Sequence, residues 1–485
     1  MREVELPPAS LERFRTVLDD AQWAQLEDAA VRARRQFEGR VVWNVNSTAR
    51  GGGVAELLGS LVPYSRAAGV DVRWVVIDGD PAFFKVTKRL HNMLHGFPGD
   101  GEGLSAGDGN SYGAAAERNA RELTAVVSPG DLVLLHDPQT AGLVAPLRRH
   151  GAQVVWRCHV GVDAPNDIVT HAWSFLLPHV ADADRLVFSR AAFVWEGLDR
   201  SRVAVIPPSI DAFTPKNQPL PPGAVESILR AADIHAEGSK APAAFRRIDG
   251  TSGHVVRAVE RDGSPPLPGN ARAVVQVSRW DRLKDPAGVL RAFVDGVAPS
   301  TDAHLVLAGP STAAVADDPE GPEVLAEIAY RVDRLPDALR ERIHLLSLPM
   351  EDPEENAVIV NALQRRGDVV VQKSIAEGFG LTVAEAMWKA RPVVASAVGG
   401  IQDQIVDGQS GVLVQPDDLG GFAGAVGELL RNPDRAEWMG DNARERVRDA
   451  FLGARHLAQY VDLFERVRRT TDPSRGRSPM SPASG

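Results

Sequence analysis

Cysteine is nearly missing from this 485-residue chain, where Cys158 stands alone. No intramolecular disulfide can form, and no set of thiolates is present to hold zinc. The opening MREVELPPASLERFR has no apolar stretch of the signal-peptide kind, which together with the cysteine count predicts a reducing, cytoplasmic location. No apolar run approaches the roughly 18 residues of a membrane span, so no membrane partner is expected. Basic residues are outnumbered, 54 Lys and Arg against 64 Asp and Glu, for a net charge of −10. That balance argues against nucleic acid as a partner, which needs a basic face, but leaves room for a local basic pocket around a small anion. His clusters at metal-ligand spacing are lacking as well, and no metal is expected. Asp182-Ala183-Asp184 has the D-x-D form that some transferases use for Mg²⁺, yet no further carboxylates or carbonyl-rich loop accompany it.

What the chain does have is a repeated beat. Its length and 44% hydrophobic content fit two or three soluble domains. Residues 1–38 read as a helical extension, with Leu11, Phe14, Leu18, Trp23 and Leu26 at or near helical spacing. From Val41 the pattern becomes apolar strand, turn, amphipathic helix: VVWNVN, VDVRWVVID, DLVLLHD, AQVVWRCHV, RLVFSR and VAVIPPS punctuate a first α/β unit, residues 39–213. Residues 214–268, studded with proline in polar sequence, read as a linker with an insertion. The beat then resumes in ARAVVQVSRW, AHLVLAGP, RIHLLSLP, DVVVQKS, RPVVASAVGG and SGVLVQP, giving a second unit over 269–445. A helix over 446–470 is expected to pack back on the first unit, and the Pro/Ser-rich tail 471–485 is expected to be disordered. The fold class is therefore α/β, two doubly wound units whose strand ends face a central cleft.

Three stretches at strand ends can carry chemistry. Ser47-Thr48-Ala49-Arg50-Gly51-Gly52-Gly53 joins a strand to a helix and removes side chains where backbone amides would meet an anion, or merely permits tight packing. The run has neither G-x-G-x-x-G nor G-K-[ST] spacing. Arg279 and Lys284 follow the strand AVVQV. Two cations there suit a diphosphate, or belong to a solvated surface. The most telling is Glu377-Gly378-Phe379-Gly380-Leu381-Thr382-Val383-Ala384-Glu385-Ala386 after DVVVQKS. Thr382 and Glu385 also have the spacing of a capping box, which would make Glu385 structural. Eight helical residues would separate Glu377 from Glu385 by about 12 Å, beyond the roughly 5–9.5 Å of a hydrolytic carboxylate pair. A ligand with hydroxyls at both ends and a charged middle, a nucleotide sugar, fits better.

These motifs, with Val398-Gly399-Gly400, resemble the retaining glycosyltransferases of family four, whose GT-B fold has two Rossmann-like domains. The resemblance covers about residues 40–215 and 270–445. It implies that Arg279 and Lys284 hold the donor diphosphate, Glu377 the donor-sugar hydroxyls and Glu385 the ribose. Gly378, Phe379, Gly380 and Leu381 would supply amides, Gly52 and Gly53 would contact the donor, and His159 would lie near the donor sugar. His159, Glu377, Arg279 and Lys284 are the implied catalytic set. A narrower likeness, carried by VWNVNSTARGGGVAELL, DVRWVVI, FFKVTKRLHNMLHG and LLHDPQTAGL, is to the trehalose glycosyltransferring synthases. It implies transfer of glucose from a UDP- or ADP-glucose donor to free glucose, with no further cofactor. Arg89, His136 and Asp137 are the leading acceptor residues, and Trp43, Asn46, Arg50, Lys85, Lys88, Asn92, Gln139 and Asp163 would also line that side. Lys85, Lys88 and Arg89 equally describe an exposed helix face. Trehalose phosphorylase, a nucleotide-sugar isomerase on the same fold and a non-catalytic sensor are the alternatives. Partners are then small molecules, nucleotide sugar and glucose or trehalose. The oligomeric state is left open, a homodimer included.

Overall fold

The computed structural model describes residues 1–471 apart from residues 8, 50–51, 100, 102, 238–240, 262–263 and 313–319. Arg50, Gly51 and the tail 472–485 thus lie outside the described residues. The chain forms two compact units, one of Met1–Ser209 with the segment from Gly453, the other of Ile210–Leu452.

In the first unit seven strands form one sheet: β1 (Arg2–Glu3), β2 (Val41–Asn46), β3 (Asp71–Val76), β4 (Leu132–His136), β5 (Gln153–Cys158), β6 (Arg185–Phe188) and β7 (Val203–Val205). Their order is β1-β3-β2-β4-β5-β6-β7, parallel throughout except that β1 pairs antiparallel with β3. β4 and β5 are buried along their whole length because helices cover both faces, which is why they read as unbroken apolar runs. Helix starts follow cap chemistry: Asp80 caps Phe83 N ahead of Pro81, and Ser105 and Asp108 make a reciprocal box.

The amino-terminal extension departs from a continuous helix. Residues 2–3 add an edge strand, Leu11–Thr16 make a 3-10 turn, and the α-helix runs from Asp20 to Gln36, started by a capping box between Asp19 and Gln22. The returning helix, Gly453–Thr471, belongs to this unit, where Tyr460, Val461 and Phe464 pack with Phe37, Leu134 and Val155.

The second unit contains β8 (Ala244–Arg246), β9 (Ser252–His254), β10 (Glu260–Arg261), β11 (Ala273–Val277), β12 (His304–Pro310), β13 (Ile343–Leu348), β14 (Val369–Gln372), β15 (Val393–Ser396) and β16 (Val412–Val414). Its main sheet has the order β10-β13-β12-β11-β14-β15-β16, again parallel but for the edge strand β10, and β8 pairs with β9 in a hairpin. The stretch 214–268 is therefore not a linker. Glu260 and Arg261 pair with Ser347 and Leu346, and Ile228, Leu229, Phe245, Val255, Val259 and Leu267 bury themselves with Val275, Val306 and Ile359. Its prolines separate short elements that are stable only against the rest of this unit. The second unit accordingly begins at Ile210 and keeps the helix Pro433–Ala450, so its limits are wider than 269–445.

In the parallel part of each sheet the strand order reverses once, between β2 and β4 in one unit and between β11 and β14 in the other. Loops leaving the carboxyl ends on either side of such a reversal diverge and open a crevice, where ligands of these sheets bind. Ile228→Ala, a truncation in a fully buried position of 214–268, should cost about 2–5 kcal/mol in a urea melt. A linker would leave the melt unchanged.

Candidate functional site

At the crevice of the second unit, the loop after β11 and the loop after β14 are fastened to each other. The Lys284 ammonium pairs with the Glu377 carboxylate, 93 positions away, and Ser374 Oγ donates to Glu377 Oε2 at 3.3 Å. Lys373 pairs with Asp285 and donates to Pro416 O at 2.8 Å, while Ile375 N donates to Leu283 O at 2.7 Å. Asp285, at φ 47°, caps the helix Pro286–Ala292 through Gly288 N. Gln276 on β11 is buried and donates to Lys284 O at 3.1 Å. An ammonium has three donors, so Lys284 can keep Glu377 and still take a phosphate oxygen. Arg279 differs: its side chain is 55% exposed and reaches Asp281 Oδ2 at 2.8 Å.

The glycine loop is shaped from below. Gly380 has φ 82° and Gly399 φ 49°, and a Cβ on Gly399 would lie 1.7 Å from Glu377 O. Gly400 N donates to Gly378 O at 3.2 Å. The buried amide of Gln404 donates to Phe379 O, to Gly380 O at 3.3 Å and to Gly400 O at 3.3 Å. With the carbonyls of 378, 379 and 380 turned inward, planar trans peptides turn the amides of Phe379, Gly380 and Leu381 the opposite way. Those amides stand at the positive end of the helix Leu381–Trp388.

Glu385 is not a capping-box partner. The helix is capped by Gly380, Thr382 Oγ1 donates to Gln372 Oε1 at 3.1 Å, and Glu385 lies one turn further in. Its carboxylate is buried, with the Lys216 ammonium at 3.6 Å. Neither Gln404, Lys373 nor Asp285 was singled out from the sequence. The I-Q-D-Q spacing after the Gly399-Gly400 turn was the available signal for Gln404.

In the first unit the crevice lies at β2 and β4. Gly52, at φ 80°, caps the helix Gly53–Ala67 without a side-chain bond, leaving that end to backbone amides. His136 ends β4 and Asp137 follows with φ 64° and ψ 175°, a conformation that costs a non-glycine residue about 1–3 kcal/mol. Its surroundings over-determine it. Asp137 N donates to Arg157 O at 2.7 Å, Trp156 Nε1 donates to Asp137 O at 3.0 Å, and Asp137 Oδ1 accepts from His159 N at 2.7 Å. Tyr112, buried beneath, donates to Pro138 O and accepts from Gly142 N at 3.0 Å, which fixes the turn Pro138–Leu143.

The two histidines stack, ring planes 18° apart, with His136 Nδ1 3.1 Å from His159 Nε2 and His136 Nε2 3.3 Å from Asn44 Oδ1. An amide oxygen only accepts, so Nε2 of neutral His136 carries its proton, Nδ1 accepts from His159 Nε2, and His159 Nδ1 is left as an acceptor. Burial and the nearby Arg157 charge push His136 down to about 3 and His159 well below the usual imidazole range. Burial pushes Asp137 up to about 6 against the opposing pull of the His159 N–H and Arg157.

Of the acceptor-side candidates, Arg89, Trp43 and Asn46 are held inside the unit by its own contacts. Arg89 is buried, donating to Gly103 O at 3.1 Å and pairing with Asp108 at 3.1 Å, so it braces a loop. Trp43 is a core residue whose indole donates to Asp131 at 3.1 Å. Asn46 closes the turn through Thr48 O at 2.7 Å and accepts from Trp74 Nε1 at 2.8 Å. Lys85 and Lys88 are exposed on the helix Pro81–Leu94, Asn92 and Gln139 are half-buried, and Asp163 pairs with Arg190 at 2.5 Å. Asp184 of the D-x-D run precedes β6, at the amino end of the sheet, where Val154 N at 2.8 Å and Arg148 at 2.9 Å occupy it. Among the described residues no group of three or more His, Cys, Asp or Glu stands close enough to hold a metal ion, and no helix is long and apolar enough to cross a membrane.

Replacing Gln404 by Ala would strand the inward carbonyls of the glycine loop. A loss of about 1–3 kcal/mol is expected in denaturant melts; an unchanged melt would remove the role assigned to Gln404.

Family models match both units. One described as the N-terminal domain of trehalose synthase covers residues 44–195, and one described as glycosyl transferases group 1 covers residues 260–446. A trehalose synthase of Pyrococcus horikoshii is 32% identical over 468 residues, 96% of this chain and 98% of its own. A trehalose phosphorylase of Pleurotus pulmonarius is 26% identical over 429 residues, 83% of this chain and 54% of its own. Among solved structures, an α,α-trehalose 6-phosphate synthase from Burkholderia multivorans superposes with a TM-score of 0.67 at 16% identity, over 91% of this chain and 99% of that one.

Proposed function

Since the chain belongs to the trehalose synthase family of GT-B glycosyltransferases, we propose that it transfers glucose from a nucleoside diphosphate glucose, UDP- or ADP-glucose, to free glucose, with retention, to give α,α-trehalose. The observation that carries this reading is the crevice of the second unit. There a half-buried ammonium, a carboxylate paired to it and three outward amides stand together, a set suited to a diphosphate carrying a polyhydroxyl group.

In this reading the bond from the anomeric carbon to the diphosphate breaks and a bond from that carbon to the acceptor hydroxyl forms, and the hydroxyl proton passes to a departing phosphate oxygen. Charge grows on the leaving group, so Lys284, Arg279 and the amides of Phe379, Gly380 and Leu381 act on the rate by stabilising it. Glu377 accepts from donor-sugar hydroxyls, and Glu385 takes the ribose. Gly52 and Gly53 present amides to the donor. His159 offers Nδ1 to a sugar hydroxyl, while Asp137, backed by the His136–His159 pair, orients the acceptor hydroxyl. No resident cofactor enters the scheme.

A second reading, phosphorolysis of trehalose, is favoured by the match to a trehalose phosphorylase over 83% of the chain. It predicts glucose 1-phosphate from trehalose and phosphate with no nucleotide present. A nucleotide-sugar isomerase would instead convert the donor with no acceptor added. Incubation with glucose and each nucleotide glucose, followed by identification of the disaccharide and its anomeric configuration, tests the proposal. α,α-Trehalose from at least one donor is expected, and no disaccharide from any of them would overturn it.

Two further outcomes follow from the geometry. Glu377→Ala and Lys284→Ala should each lower turnover by about 10²-fold or more while the proteins melt as folded chains; wild-type rates in both would remove the site. Asp137 acts ionised, and its pKa is raised to about 6. kcat/KM for glucose should therefore fall about tenfold per pH unit below pH 6, and a flat profile down to pH 4.5 would contradict the role of Asp137.

A further inference from the structure

Arg157, on β5, is buried with no exposed surface at all. Its partners are neutral. Its guanidinium donates to His456 Nε2 at 2.9 Å, to the Tyr460 hydroxyl and to Ile206 O at 2.9 Å, and lies 5.5 Å from the Tyr460 ring centre. A guanidinium only donates, so His456 Nε2 accepts and its Nδ1 proton goes to Ser209 Oγ at 2.8 Å. Among the described residues no carboxylate pairs with Arg157, and its Nε–H, buried, meets no acceptor. A desolvated cation left without a counter-charge is costly, and a neutral apolar residue would fill the same space more cheaply. Such a charge calls for a use.

Its position supplies one. Arg157 is the register partner of His136 across β4 and β5, and its carbonyl takes the N–H of Asp137. Two residues later on the same strand exit, His159 donates to the Asp137 carboxylate. Among the described residues, the groups set against Asp137 are His136 from β4, Arg157, Cys158 and His159 from β5 and its exit, and Thr140 from the following turn. From the helix Gly453–Thr471, Arg455, His456 and Tyr460 face Arg157. Asp137 is the lone carboxylate in that set, and Arg157 is the cation on the neighbouring strand.

We propose that Arg157 is a positioning residue for glycosyl transfer, its buried and otherwise uncompensated charge keeping the Asp137 carboxylate ionised beside a neutral His136–His159 pair. The proposal deepens the reading given above, since it takes Asp137 to act on the acceptor. Arg157 touches no substrate and works through Asp137 alone. Burial raises Asp137 while Arg157 opposes that rise, in the sense the proposal needs.

The test compares Arg157→Met, which removes the charge at similar volume, with Arg157→Lys, which keeps it. In Arg157→Met the acid limb of kcat/KM for glucose should move up by about one pH unit, the lower end of what a nearby opposite charge does to a carboxylate. Arg157→Lys should leave the limb within a few tenths of a unit of wild type. A limb that stays put in Arg157→Met, or moves equally in both, overturns the proposal; Arg157→Gln replaces Arg157→Met if the latter does not fold.

A readout independent of turnover separates this from failure of the proposed reaction. A carboxylate whose folded pKa is raised gives stability that is present at low pH and lost as pH rises through that pKa. The Tm deficit of Arg157→Met relative to wild type should thus widen from pH 5.5 to pH 8. The widening should vanish when both chains also carry Asp137→Asn. A deficit constant with pH, or one that widens regardless of Asp137→Asn, would refute the coupling even if the wild type made no trehalose.

Discussion

The ion pair between Lys284 and Glu377 is the contact around which the second unit's site is arranged. Both side chains are mostly buried, 17% and 12% exposed, and neither would stand there alone, since an unpaired charge so placed is strongly unfavourable. Pairing requires β11 and β14 to be sheet neighbours although two βα repeats separate them in the chain. It also requires the two exits to be held together, which Lys373 with Asp285 and Ile375 N with Leu283 O accomplish. The loops are thus fixed before any ligand arrives, the condition under which charges and amides act most strongly on a transition state.

The first unit uses the same sheet position differently. Its reversal, between β2 and β4, carries a strained Asp137, two stacked neutral histidines and a buried guanidinium behind them. In the proposed reaction the one unit takes an anion with hydroxyls and the other a neutral, hydroxyl-rich molecule whose proton must be handled. The cost of holding Asp137 at positive φ is met by bonds from Trp156, His159 and Tyr112 and by the bond Asp137 N makes to Arg157 O, all of them core residues or residues at strand ends.

Much of this is legible in the amino-acid order, for reasons that differ by element. Doubly covered parallel strands must be apolar along their length, so VVWNVN, DLVLLHD, AVVQV and DVVVQKS announce themselves, and with them the two α/β units. The loop Glu377–Leu381 is readable because glycines at a strand exit have few other uses. The stretch 214–268 is not, since its strands are two or three residues long and its edge strand β10 pairs with a partner some 85 positions away. Arg89 misleads because an i, i+3, i+4 set of cations looks exposed until Asp108 claims one of them. Gln404 and Arg157 leave little local trace: each acts on backbone or charge far along the chain, and a buried polar residue within an apolar run reads first as a packing residue.

In the proposed reaction the second unit grips a diphosphate with Lys284 and the amides above Gln404. Calorimetric titration of the wild type and Lys284→Ala with UDP, ADP and the phosphate-free nucleosides tests it most directly. One of the diphosphates should bind the wild type at least about tenfold more tightly, roughly 1.4 kcal/mol, than it binds Lys284→Ala, with the nucleoside indifferent to the substitution. Equal diphosphate affinities in the two proteins would contradict it.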